Sequence, residues 1–189
     1  MKLIDLANKL IPAEIPVHEI SLTILSQEKR LPAPAFWPKP NDIYKAGIMV
    51  PELKLEDSIN TIQESVPDDP CIITTIENLL KENKIIGWQE AMSPHIYASF
   101  SILHELGHWY DYQDRYVAAG LGGAKYLSDY SEEQSKLRLN ELIELTRKQI
   151  KGSQAHIQYL ALFHKRYREH PFEQIADQFA ICKLRELIK

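Results

Sequence analysis

Cysteine is scarce in this 189-residue chain, with only Cys71 and Cys182. Two thiols make no disulfide framework, and without a Cys-x-x-Cys pair they are poor zinc ligands. A reducing, cytoplasmic setting is expected. Long apolar runs are missing too: nothing approaches the roughly 20 residues a membrane helix needs. The opening MKLIDLANKL is interrupted by Asp5 and Asn8 and does not read as a signal peptide. No membrane partner is therefore expected. Nor is there a basic excess, because 22 Lys and Arg against 26 Asp and Glu leave a net charge of −4. That balance argues against nucleic acid as a direct partner. Internal repeats and low-complexity tracts are absent. What is present, 44% hydrophobic and 25% charged residues, fits one domain over residues 1–189.

The chain is organised around His104-Glu105-Leu106-Gly107-His108, an H-E-x-x-H pattern. On a helix, residues four apart lie roughly 40° apart around the axis and one turn along it. His104 and His108 would then project together and grip one metal ion, with Glu105 placed to serve as general base. The flanks predict that helix from about Ser93 to Tyr116. Ser93-Pro94 supplies a capping hydroxyl followed by proline at the first helical position. Ile96, Phe100, Leu103, Gly107 and Tyr110 form one expected buried stripe, and Tyr97, Ser101, His104, His108 and Asp111 a separate polar one facing a cleft.

Upstream, residues 2–11 read as a short helix ended by Pro12, and 15–25 as a half-buried strand. The proline-rich 31–42 reads as an irregular loop around Phe36-Trp37. Residues 43–50 read as a second strand, the expected edge beside the metal helix where extended substrate would add. Residues 55–66 and 71–86 look helical, and 55–92 is a candidate cover for the cleft. The N-terminal part, 1–92, thus mixes helix and strand, whereas 93–189 is helical and carries the metal site. In that second part GLGG at 120–123 reads as a break. A long helix from Ser128 or Ser131 to the Gly152-Ser153 break follows, and then a helix through Ile157 and His164, the latter a core histidine.

A metal site with an open position needs a third protein ligand. The last helix, opened by Pro171, offers Glu173 and Asp177 four residues apart, off the expected apolar stripe of Phe172, Ile175, Ala176 and Phe179. Glu173 would bind the metal, and Asp177 would accept the outer N–H of a ligating histidine. The bland alternative is a solvated acidic pair, and Asp111 or Asp114 is the alternative third ligand. Tyr167 is the expected group for the oxyanion, with Tyr130, Tyr159 and His170 close behind.

H-E-L-G-H followed by Glu173-Gln-Ile-Ala-Asp177-Gln-Phe-Ala180 resembles the gluzincins, zinc metallopeptidases completed by a downstream glutamate. It looks most like the small bacterial and phage ImmA/IrrE group. The resemblance covers the metal helix and the last helix, and 65 residues separate His108 from Glu173, a longer gap than in that group. It implies an α+β zincin-like fold, with a small mixed or antiparallel sheet packed on the metal helix and a mainly helical C-terminal part. It also implies a zinc-dependent endopeptidase acting on an intracellular protein or peptide substrate, such as a repressor of a mobile element. The alternative is a catalytically silent binding module with structural zinc.

Overall fold

The computed structural model describes residues 1–21, 32–40 and 42–188. It is an α+β structure: a small three-stranded mixed sheet in the first part, then a succession of helices. Helix α1 spans Leu3–Leu10 and buries Leu3, Leu6 and Ala7. Strand β1 is Val17–Ile20, β2 is Ala35–Trp37 and β3 is Gly47–Pro51. Positions 22–25 of the expected first strand lie outside the described residues.

The sheet order is β1-β3-β2. β1 runs parallel to β3, Val17 opposite Ile48, and β2 runs antiparallel to it, Phe36 opposite Ile48 on the other side. This corrects two expectations. The 43–50 strand is not an edge, because β3 is flanked on both sides. Its run of buried residues on both faces, Ile48 and Val50 fully so, is the pattern of a central strand. The outer strands are β1 and β2, and the one lying against α4 is β2, inside the proline-rich segment expected to be irregular. Pro34 and Pro38 bracket it, and an edge is where a strand tolerates residues that cannot donate to a ladder.

Helices α2 (Ser58–Ser65, preceded by a short 3-10 turn) and α3 (Cys71–Glu82) follow the sheet. Helix α4, Pro94–Tyr112, starts as expected: Ser93 Oγ accepts the Ile96 N–H at 3.2 Å and Pro94 takes the first position. A π-helical turn at Gln113–Val117 extends it. α4 packs on α1, the sheet and α8 (Pro171–Ile188). It is buried almost all round, so its two expected stripes are not an inside and an outside. Tyr97, Ser101, His104, His108 and Asp111 are all buried, whereas Tyr110, at the end of the apolar stripe, is exposed.

The same inversion occurs on α8. Glu173 and Asp177 are buried beside Phe172, Ala176 and Ala180, and Ile175 faces outward. The reason is visible at Gly107: a Cβ there would come within 2.8 Å of Ala176 Cα and 3.0 Å of Phe179 Cβ. Two small residues let the backbones approach, and the polar faces of α4 and α8 close on each other. Between them in sequence lie α5 (Gly122–Lys136), α6 (Leu139–Arg147) and α7 (Gln154–Tyr167). The single long helix expected there is two helices, because Arg138 adopts a left-handed conformation (φ 57°). The break read at 120–123 falls at Gly120 and Leu121, between the π-helical turn and α5, which Gly122 and Gly123 open.

Candidate metal centre

His104 and His108 project from α4 toward Glu173 on α8. His104 Nε2 lies 3.2 Å from Glu173 Oε2, and His108 Nε2 lies 3.4 Å from Glu173 Oε1. The two imidazole Nε2 atoms are 3.2 Å apart. All three side chains are buried, Glu173 to 1% exposure. Together they form a group that could hold a metal ion, their ligand atoms lying within 4.8 Å of one another.

The donor set fits such an ion. Nitrogen and oxygen ligands about 2.0–2.2 Å from a tetrahedral ion stand roughly 3.3–3.6 Å from each other, close to the separations found. Glu173 Oε2 is buried with no hydrogen-bond partner, a costly arrangement that a cation would relieve. Asp177 Oδ1 lies 2.9 Å from His104 Nδ1, where it can fix the ring with Nε2 turned inward. Arg168 Nη1 donates to the same Asp177 oxygen at 2.6 Å.

The electrostatics agree. Burial opposes ionisation of Glu173, but the His104 and His108 imidazoles beside it outweigh that and hold the carboxyl well below its ordinary range. Burial likewise opposes charge on His104, yet Asp177 and Glu173 push its pKa up to about 10. Glu105 is raised above the ordinary carboxyl value, chiefly by burial and against the pull of both histidines. Its Oε2 accepts the backbone N–H of Phe36 at 2.6 Å, which ties the edge strand to the metal helix.

The alternative aspartate ligands are not in the group. Asp111 is held by Arg115 through a two-point ion pair, and Asp114 is exposed. His164 is a buried histidine bonded to Asp69 at 2.7 Å.

Of the expected oxyanion groups, Tyr130 stands nearest the ligands. Its hydroxyl donates to Glu173 Oε1 at 2.6 Å, and the Tyr167 hydroxyl lies 3.3 Å from the Tyr130 oxygen. Burial first, and the Glu173 charge second, raise both phenols, so they stay protonated. His170 is fully buried behind Tyr130, its Nε2 3.1 Å from the Tyr130 carbonyl oxygen. Sequence reasoning missed Tyr126, whose hydroxyl lies 3.1 Å from His108 Nδ1. The available signal was its spacing of four from Tyr130.

Two cavities meet at the triad. One, about 290 Å³, is lined by apolar side chains including Ile62, Ile72, Ile76, Phe100 and Phe163. The other, about 260 Å³, lies between β2 and α5 and is lined by Phe36, Tyr126 and Tyr130. His104, Glu105, Tyr167 and Glu173 line both. No helix among the described residues is long and apolar enough to cross a membrane. Compared with protein-family models, curated proteins and solved structures, the chain matches none.

Proposed function

We propose that this protein is a zinc-dependent endopeptidase of the gluzincin type, acting on an intracellular protein. The observation that carries the reading is Glu105, a half-buried carboxylate that lines both cavities beside the His104, His108 and Glu173 group. A structural ion needs no base at its side. A silent module would close its ion with four protein ligands, and the described residues supply three.

Zinc, when bound by His104, His108 and Glu173, supplies Lewis acidity that polarises a carbonyl and acidifies water. Glu105, with its raised pKa, takes a proton from the attacking water and passes it to the leaving amine nitrogen. Tyr167, whose protonated phenol lines both cavities, is the donor that would meet a developing oxyanion. Asp177 keeps His104 in the correct tautomer. The apolar cavity admits a hydrophobic side chain of the substrate next to the scissile bond, and β2 is the edge along which its backbone lies.

The test is cleavage of a peptide library by zinc-loaded wild type and Glu105→Gln. Cleavage lost in Glu105→Gln with zinc retained supports the reading. Zinc bound by wild type with no cleavage of the library or of repressor-type proteins rejects it in favour of the silent module.

A further inference from the structure

Helix α5 is polar for most of its length, and its one buried side chain is Tyr126, 3% exposed. One turn later comes Tyr130. Residues four apart share a helix face, so both phenols point the same way. They meet two different members of the candidate metal group, which come from two other helices. Tyr126 reaches His108 Nδ1, and Tyr130 reaches Glu173 Oε1.

We propose that Tyr126 and Tyr130 are positioning residues of the metal centre, holding His108 and Glu173 through their hydroxyls and coupling α5 to metal occupancy. The inference rests on the metal-centre reading but not on the peptidase one. With His108 Nε2 turned to the ion, its Nδ1 carries the proton and donates to the Tyr126 oxygen. The Tyr130 O–H donates to Glu173 Oε1, which leaves Oε2, the oxygen without a hydrogen bond, as the free ligand atom.

Both rings are fixed. Tyr126 sits edge-on to Phe36, Tyr112 and Phe172 at centroid distances of 5.6, 5.6 and 5.0 Å. Tyr130 lies 4.3 Å from the His170 ring. The start of α5 is seated as closely: a Cβ on Gly123 would fall 2.3 Å from the Pro38 carbonyl oxygen. The choice of phenols also has an electrostatic reason. Glu105, Glu173 and Asp177 already crowd this pocket with carboxylates, and a fourth would add like charge in a low-dielectric setting. A neutral phenol orients His108 without that cost.

The experiment compares wild type, Tyr126→Phe and Tyr130→Phe, which keep the rings and remove only the hydroxyls. Zinc affinity is measured by chelator competition, and the Tm of the metal-free proteins alongside it. Positioning predicts a loss of affinity of about 10- to 100-fold in each variant with the metal-free Tm little changed. Affinities within twofold of wild type in both variants would overturn the proposal and leave the metal centre standing. A wild type that binds no zinc would overturn both. Hydrogen exchange on wild type alone gives a second reading should a variant fold poorly. Zinc should slow exchange across 122–136 as well as around 104–108 and 173–177. Slowing confined to the latter two would contradict the coupling.

Discussion

Helices α4 and α8 are joined by close contact between small and apolar residues, whereas α6 and α7 are joined to the rest largely by polar groups, and α5 by polar groups together with the aromatic cluster of Tyr112, Tyr116, Tyr126 and Phe172. On the first side, Gly107 against Ala176 sets the spacing, and Ile102, Leu103, Ala180 and Ile181 are buried around it. On the second side, the buried side chains of α7 are His156 and His164. The ties across are Tyr126 to His108, Tyr130 to Glu173, His164 to Asp69 and Lys151 to Asp68. Dispersion and burial make the ligand pair rigid with or without an ion. Hydrogen bonds worth about 1 kcal/mol each leave α7, which lines both cavities through Tyr167, freer to adjust. The division suits the proposed site, which would have to hold an ion firmly and admit a chain.

Breaking the packed side should cost most. Ile102→Ala, at a fully buried position of α4, should lower stability by about 2–5 kcal/mol in urea unfolding. Gly107→Ala should cost about 1–3 kcal/mol, and by prising α8 away it should weaken zinc binding as well. A Gly107→Ala protein with unchanged zinc affinity would show that the helix spacing does not set the site. Asp177→Asn should leave the fold intact and reduce zinc affinity about 10-fold or more, read by chelator competition.

Two predictions concern pH. His104 has a raised pKa of about 10 in the metal-free protein, so binding displaces a proton. Zinc affinity should rise with pH, by up to about tenfold per unit until His104 deprotonates on its own; calorimetry in two buffers should count the released proton. The smallest effect should come from the polar side. Burial opposes ionisation of Asp69, but its bonds to His164 lower its pKa below the ordinary 3.8. A group with a depressed folded pKa stabilises the fold above its unfolded value and loses that contribution as acid protonates it. The α3–α7 tie should therefore fail below about pH 4, visible as faster exchange in 154–167, and Asp69→Asn should remove that acid step.

The packed side was also the more legible in sequence. Ser93-Pro94 and Pro171 mark the two ligand helices, and H-E-x-x-H with Glu173 supplied the candidate metal group residue by residue. What periodicity hid was which faces meet. Ile175 and Tyr110 fit an apolar stripe as well as Ala176 does, but a stripe cannot register that two polar faces become the interior once a metal group lies between them. The polar side was harder to read for a physical reason. Tyr126 and Tyr130 look like any helical tyrosines until His108 and Glu173 are brought up to them. The break at Arg138 depends on a left-handed residue that is not glycine. The short edge β2 is hidden among prolines, although the proline bracket itself was a usable sign.

The most direct measurement is zinc content by elemental analysis after loading and desalting, on wild type and Glu173→Ala. One zinc per chain in wild type, lost in Glu173→Ala, is the result that three ligands from α4 and α8 require. A wild type that retains no zinc, or a Glu173→Ala protein that keeps it, would contradict the account.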